Sequence, residues 1–591
     1  MNLRLSSRMK SCTKALAGIL SFSPLLLWLA GILAVAAQLI IFKELVREVN
    51  PWMLLHWDMA AADAAVVMLP YIFLPPRWRR SVWIALALTT SLCCANLWYC
   101  RAFYGLMPLD SVGMGANLQD RVIDGFIEQL RWKDLLLLAP VAFFGLVRWL
   151  LRGPAARLPF SPRAKVAMAA ASLLLYVGAF TMQAYRMYSI NTDKFSFWHA
   201  LANYRSTYRL SAYKYTQHFS YMGAVWYALW QIKEEFIPHT LSADERARVE
   251  AFWTERRERP SAAGRFAHNR GKNLIFIIVE SLSADVLNLE VGGMAVTPTL
   301  DSLARTDGAL VVTRMRPQVG HGRSSDGQFM YNTGLLPLRR GVVAKRYPSA
   351  DYPSLVKALG VRNAVEVAGD PPTFYSHSTT NVSYGYTGFI SGGTGNWRRD
   401  NWIFAQADSV IATLPQPFVA TVITLTMHDP YKSITGTRTA ISSDKRFVQD
   451  DLNYMEETHL FDRRLGQFLD GLRRRGIYDN SVIVIASDHE PRRTALGPDF
   501  FTDDILFMVL NSGASLVTDR VIGQIDVFPT VLDLMGVTGY PYPGLGTSIV
   551  ADTTRHGLVD LYGNVIDAPA DSTDLRRAWD ISALLLEGHY Y

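Results

Sequence analysis

The sequence predicts a two-part molecule. A bundle of five membrane-spanning helices occupies residues 1–185, and an α/β domain occupies 269–591, its mostly parallel sheet sandwiched by helices. Three observations lead there. Five apolar stretches reach or approach the roughly 20 residues that cross a bilayer as a helix. From about residue 270, short apolar runs alternate with helical patterns, as in a sheet buried on both faces. Finally, 50% of the chain is hydrophobic and only 19% is charged, a balance that suits a membrane part joined to a soluble one.

The apolar stretches run roughly over 22–42, 57–75, 81–100, 134–151 and 166–185. Ala34-Val35-Ala36 resembles a signal cleavage site, but the run continues through Phe42, so the first stretch reads as an uncleaved anchor. Asp63 in the second stretch reads as an interfacial carboxylate, because a charge at mid-depth is costly. Lys and Arg placement sets the orientation. Arg4, Arg8, Lys10 and Lys14 precede the first span; Arg77, Arg79 and Arg80 follow the second; Arg148, Arg152, Arg157, Arg163 and Lys165 follow the fourth. Those three segments belong on the cytoplasmic side, which places everything after about residue 186 outside. The net charge of +7 follows from these flanks and excludes no membrane reading; it does not point to nucleic acid.

All four cysteines (Cys12, Cys93, Cys94 and Cys100) lie in the first hundred residues. The C-terminal half therefore holds neither disulfides nor thiolate metal ligands. Residues 186–268 read as a juxtamembrane amphipathic linker. Trp198, Trp226 and Trp230 suit the headgroup layer or packing under a soluble domain, and 241–258 reads as a polar bridging helix.

In the C-terminal half, strands are expected at Leu274–Val279, Leu310–Thr313, Ala364–Ala368, Phe418–Leu425, Val482–Ala486 and Ile505–Leu510, with helices at 298–305, 353–359 and 451–475. Functional groups collect at the carboxyl ends of strands in such sheets. One strand ends in Glu280-Ser281, another in Ser487-Asp488-His489-Glu490. Two carboxylates and an imidazole are a plausible divalent-metal set, although each motif alone also reads as capping or surface chemistry. Gly320-His321-Gly322-Arg323-Ser324-Ser325-Asp326 precedes a helical pattern, placing Ser324 at or just before a helix N-terminus, where an anion is favoured. A plain N-cap serine is the alternative. His428, after the Phe418–Leu425 strand, can donate to a phosphate oxygen or serve as a satisfied core histidine.

In order, the chain carries Val279-Glu280-Ser281, Thr297-Pro298-Thr299-Leu300, Gly320 through Asp326, His428-Asp429-Pro430-Tyr431, Ser487-Asp488-His489-Glu490 and a closing helix over 525–536. As a set these motifs resemble the lipoteichoic acid synthases and related phosphoglycerol transferases of the alkaline phosphatase–sulfatase superfamily. The resemblance implies an alkaline phosphatase-like α/β domain. It implies that Glu280, Ser324, Asp488 and His489 bind one divalent cation, typically manganese, with zinc or magnesium as alternatives. Ser324 takes the place of the nucleophile, and His428 that of a phosphoryl contact; Arg323, Tyr375 and His377 fall among the substrate-binding positions.

One segment departs from the pattern. Relatives that use phosphatidylglycerol carry a histidine–glycine pair and then a Trp-Asn-Arg triplet; here Ala368 stands for the histidine, Tyr375 for the tryptophan and His377 for the arginine. A permanent planar cation has become a titratable one. The expected function is transfer of a phosphoglycerol-type group from a membrane phospholipid, phosphatidylglycerol-like, to an extracytoplasmic glycan or polymer acceptor through a phospho-serine intermediate. The expected location is the bacterial cytoplasmic membrane, with the catalytic domain outside and no nucleic-acid partner. Three alternatives stand beside it. A sulfatase-like hydrolase would need a Cys/Ser-x-Pro-x-Arg motif. Phosphoethanolamine transferases usually carry disulfides in their outer domains. A non-catalytic lipid sensor would have no need of the complete ligand set.

Overall fold

The computed structural model describes the chain except residues 1–22, 52, 104, 110–126, 128, 152–157, 190–211, 237–238, 393–399, 430, 432–438, 493–499, 553–556, 562 and 568–572. The basic N-terminal tail, Cys12, Arg152, Arg157, Trp198 and Pro430 thus lie outside the described residues. Two compact units emerge, one from Met1–Leu109 and Phe126–Ile237, the other from Asp110–Gly125 and Pro238–Tyr591.

In the first unit the described elements are α1 (Ser23–Arg47), α2 (Trp57–Val67), α3 (Leu69–Phe73), α4 (Ser81–Phe103), a 3-10 turn (Trp132–Leu138), α5 (Ala139–Leu150), α6 (Pro162–Ser189) and α7 (Ala212–Phe236). Among the described residues, three helical stretches have the length and composition to cross a membrane: Ser23–Arg47, Pro76–Ala102 and Pro162–Arg186, with mean hydropathies of 2.5, 1.4 and 1.6. The expected count of five is corrected to three. The second stretch breaks at Met68, where Pro70 opens the next short helix; proline lacks the N–H and its ring crowds the preceding turn. The fourth divides between the 3-10 turn and the 12 residues of α5.

Asp63 faces the helix bundle, which with a membrane interface is one of the two settings that make a charge there tolerable. It is buried, and its carboxylate accepts from the backbone N–H groups of Ala224 (2.6 Å) and Val225 (3.1 Å). These amides are free because α7 kinks at Gly223, whose φ is 82°. A Cβ there would lie 2.4 Å from the Asp63 carboxylate, so the close approach requires glycine. Asp63 therefore caps the restarted half of α7. Nearby, the buried Lys43 Nζ donates to the Ser220 carbonyl (3.2 Å). Arg101 grips Asp134 with both guanidinium arms, at 2.9 and 2.7 Å.

The second unit begins with α8 (Ala243–Arg257), started by a reciprocal Ser242/Glu245 cap. Its helices continue as α9 (Pro298–Ala304), α10 (Ser324–Thr333), α11 (Val343–Arg346), α12 (Leu355–Leu359), α13 (His377–Ser383), α14 (Asp400–Ile411), α15 (Gln449–Arg474), α16 (Val527–Leu534) and α17 (Thr573–Glu587). The described strands are β1 (Asn273–Val279), β2 (Glu290–Val291), β3 (Met294–Ala295), β4 (Leu310–Arg316), β5 (Asn363–Ala368), β6 (Gly388–Ser391), β7 (Phe418–Ile423), β8 (Ser481–Ser487), β9 (Ile505–Leu510), β10 (Leu516–Thr518), β11 (Ile522–Gly523), β12 (Leu558–Val559) and β13 (Val565–Ile566). The main sheet runs β10-β4-β9-β8-β1-β7-β5-β6, with β11 also on β4. β1 lies parallel between β7 and β8, while β9 is antiparallel to both its neighbours.

All six expected strands fall in this sheet. β1, β7, β8 and β9 are buried along their whole length, because predominantly apolar runs rich in Ile, Val, Leu and Phe present apolar side chains to both faces. One face packs on the amphipathic α15 through Phe461, Leu465, Phe468 and Leu472. The parallel register sets Val279 opposite Ser487, so Glu280 and Asp488 leave adjacent strands at the same level.

Replacing Asp63 by Ala leaves two buried amides unpaired at the α7 kink. We expect a loss of about 1–3 kcal/mol, read as a lower unfolding midpoint of the full chain in detergent, whereas Asp63→Asn retains part of the difference.

Candidate metal centre

Glu280, Asp488 and His489 each offer a ligand atom, and these atoms lie within 4.8 Å of one another, all three residues being buried. The nucleophile candidate stands beside them. Ser324 Oγ is 3.1 Å from His489 Nε2 and 3.3 Å from Glu280 Oε2. His489 Nε2 is 3.4 Å from Glu280 Oε1 and 3.6 Å from Asp488 Oδ2. Motifs separated by more than 200 positions thus converge on one point, because β1 and β8 are neighbours and α10 starts above their ends.

Backbone geometry aims these groups. Ser281, directly after Glu280, has φ 50°, and Arg323, directly before Ser324, has φ 43°. Left-handed conformations at non-glycine residues cost free energy and persist where surrounding contacts enforce them. Those contacts are present. Asp488 Oδ1 accepts from the backbone N–H groups of Ser281 (2.8 Å) and His489 (2.7 Å). Tyr454 Oη accepts from Ser283 N (2.9 Å) and donates to the Ser281 carbonyl (2.7 Å). Asp326 accepts from the N–H groups of Gly320 (2.8 Å) and Gly322 (3.0 Å), closing the loop that presents Ser324. Ser324 is the first residue of α10, at the positive end of the helix dipole, although the N–H groups of Ser325, Asp326 and Gly327 already donate to the Gly322 and Arg323 carbonyls.

The electrostatics call for a cation. Burial pushes Glu280 up to about 7, opposed by the Ser281 hydroxyl, while Asp370 adds repulsion. Asp488 is raised well above the usual carboxylate range by burial first and by Glu280 second. Burial, then the Arg323 guanidinium and other cations, hold His489 well below its ordinary value, so its imidazole is neutral and free to ligate. Two buried carboxylates and a neutral imidazole, with a hydroxyl beside them, fit a divalent ion accepting oxygen and nitrogen donors.

The remaining expected residues divide. Tyr375 and His377 line one small cavity with Ser324, together with Asp370 and Tyr384. Arg323 is engaged by protein groups, at 2.5 Å from Glu490 Oε1 and 3.0 Å from the Glu490 carbonyl. His428 is half-buried with Nδ1 2.5 Å from the Asp429 carbonyl, close enough to His489 to oppose its protonation. Sequence reasoning missed the groups that hold the strand ends. Gln524 donates to the Asp488 carbonyl (2.6 Å), and the Tyr331 hydroxyl donates to the Ser487 carbonyl. It also missed Glu366, a carboxylate inside β5 that meets His377. Their only signal was polarity within apolar or helical runs.

Gly327 marks how tightly α10 sits on this centre: a Cβ there would lie 2.5 Å from the Asp488 carbonyl oxygen. Gly327→Ala should cost about 1–3 kcal/mol of stability and weaken divalent-metal binding in the same variant, measured by thermal unfolding and by metal titration of the purified chain.

A family model for sulfatases matches residues 272–537. Lipoteichoic acid synthase 2 of Bacillus subtilis is 27% identical over 317 residues, covering 49% of this chain and 49% of that protein. Lipoteichoic acid synthase of Staphylococcus aureus is 25% identical over 336 residues, covering 52% of each. The chain therefore spans about half the length of the curated relatives it matches. Among solved structures, the lipoteichoic acid synthase LtaP of Listeria monocytogenes aligns with a TM-score of 0.48 at 20% identity, covering 57% of this chain and 97% of that one. The strand-end acids and the serine-led helix lie inside residues 272–537, the segment that matches the sulfatase family model and is similar in sequence to the lipoteichoic acid synthases.

Proposed function

We propose that the chain is a metal-dependent transferase that moves a phosphoglycerol-type group from a membrane phospholipid to an extracytoplasmic glycan or polymer acceptor. The observation that carries this reading is the position of Ser324 Oγ at the head of α10, within 3.3 Å of both Glu280 and His489. The homology to lipoteichoic acid synthases supports phosphoglycerol as the group transferred.

Glu280, Asp488, His489 and Ser324 would hold one divalent cation, with manganese the first choice and zinc or magnesium the alternatives. Such a cation, when bound, lowers the proton affinity of a serine hydroxyl and neutralises charge on phosphoryl oxygens. The chain's own residues do the rest. Ser324 Oγ attacks the phosphorus of a phosphatidylglycerol-like donor. The bond from phosphorus to the diacylglycerol oxygen breaks, and diacylglycerol leaves with the proton lost from the serine. An acceptor hydroxyl then attacks the phospho-serine, gives up its proton and restores Ser324. The positive end of the α10 dipole faces developing negative charge, and His428 donates to a phosphoryl oxygen. The Glu490 carbonyl accepts from His489 Nδ1–H (2.9 Å) on the side away from Ser324, and Arg323, held by Glu490, lends positive charge to bound phosphate. Tyr375 and His377 contact the head group from the cavity wall.

The apolar helices of the first unit keep the domain at its lipid source. The basic N-terminal flank and the odd number of apolar helices found among the described residues support a domain outside the cytoplasmic membrane, although three spans, unlike five, put Arg77, Arg79 and Arg80 on the outer flank of the second span. Sulfatase chemistry of the formylglycine type is disfavoured by the local sequence, since Ser324 is followed by Ser325 and Asp326 rather than by x-Pro-x-Arg.

The full chain in lipid vesicles with manganese should release diacylglycerol from phosphatidylglycerol, and Ser324→Ala should reduce that release at least about 1,000-fold with an unchanged unfolding midpoint. Normal turnover by Ser324→Ala would overturn the nucleophile assignment. Release from phosphatidylethanolamine alone would change the donor. Separately, His489→Ala should lower metal content, measured by elemental mass spectrometry of the purified protein.

A further inference from the structure

The cavity beside Ser324 has a wall that the transfer chemistry alone does not explain. His377 opens α13 and is buried, with Nε2 2.5 Å from Glu366 Oε1. Glu366 sits inside β5 and is itself buried. A carboxylate in the middle of a sheet strand is costly unless a cation meets it, and His377 is the group that does. The His377 ring also packs at 4.8 Å from the Phe389 ring of β6. Its orientation is thus set by an ion pair on one edge and an aromatic face beside it.

We infer that Glu366 is a positioning residue that holds His377 as an imidazolium, with Nε2 on the carboxylate and Nδ1–H left as the ring's other donor for the oxygens of a phosphoglycerol head group. The dyad takes the place of a permanent cation in the cavity wall and makes recognition of the donor, rather than the chemical step, depend on pH. This rests on the reading of Ser324 as nucleophile toward a phospholipid.

The surroundings favour the same charge state. Burial alone would lower the His377 value, but the Glu366 carboxylate, and Asp370 behind it, bring it above its ordinary 6.5. The imidazolium is therefore the main form below that raised value and is lost as pH rises through it. Other charged groups face this corner from each packed element. Asp370 follows β5 and lines the cavity. The buried Asp326 of α10 acts electrostatically on Tyr375 and Tyr384. Tyr386, after α13, also feels Glu366. Lys345 and Arg346 lie on α11, which packs against the 374–376 turn. Burial raises all three phenols, so they stay neutral across the range in question.

The test uses the full chain in phosphatidylglycerol vesicles, with kcat and KM measured from pH 5.5 to 8.5. In the natural sequence KM rises with pH above the imidazole's raised value. Glu366→Gln moves that rise to lower pH, and at pH 7.5 raises KM about tenfold while kcat falls less than about twofold. His377→Arg, a permanent cation, flattens the pH dependence of KM. A KM profile in Glu366→Gln that matches the natural one, or a loss confined to kcat, overturns the inference. Imidazole carbon-13 shifts of the same proteins, with His377→Arg identifying the resonance, provide a readout independent of turnover. His377 should titrate above 6.5 in the natural chain and at or below it in Glu366→Gln. Absence of turnover on phosphatidylglycerol would sink the functional reading, and the imidazole titration would then decide the dyad by itself.

Discussion

Two carboxylates that should repel each other organise the second unit. Glu280 and Asp488 end neighbouring parallel strands in register, both out of contact with water. Burial removes the screening that would separate their charges, and each is destabilised in its ionised form. Among the described residues no cationic side chain pairs with either carboxylate, and the nearby Arg323 guanidinium is tied to Glu490. The fold places a neutral imidazole and a serine hydroxyl on the open side instead. A divalent ion held here would resolve the repulsion, and the proposed reading of Ser324 as nucleophile would draw on the same ion.

The rest of the domain maintains that arrangement. Positive φ values at Ser281 and Arg323 turn the chain sharply beside the ligands. Tyr454 from α15, Asp326 and Tyr331 from α10, and Gln524 from the turn at 524–526 hydrogen-bond to the turned backbone. Each makes the local strain affordable by satisfying a buried N–H or C=O group. The apolar strands beneath are continuous because both of their faces are covered, and this rigidity is what lets motifs far apart in sequence meet within a few ångströms.

Much of this was legible in the sequence, for a physical reason. Strands such as Leu-Ile-Phe-Ile-Ile-Val announce themselves because a sheet covered on both faces tolerates no polar alternation, and ligands follow directly where such runs stop. The reversed direction of β9 was not legible, because an apolar run reads the same for a parallel or an antiparallel neighbour. Short β6, β10 and β11 carried no run at all. The span count failed at Pro70, which interrupts a helix without lowering the apolar content that suggested one. Asp63 was placed at an interface because its partners, the amides at Gly223, lie 160 residues away. Glu366 was hidden by the opposite circumstance, a single acid within an otherwise apolar strand, meaningful only once His377 folds against it. Tyr375 and His377 could be singled out by resemblance to a family, but only the fold puts them on the same cavity as Ser324.

The central claim is that Glu280, Asp488, His489 and Ser324 form one metal site, and its most direct test is anomalous diffraction at the manganese edge from crystals of the full chain grown with manganese. The account predicts one strong peak at about 2.0–2.3 Å from a carboxylate oxygen of Glu280 and of Asp488, from His489 Nε2 and from Ser324 Oγ. A peak held by other residues, or none at this cluster under saturating manganese, would contradict it.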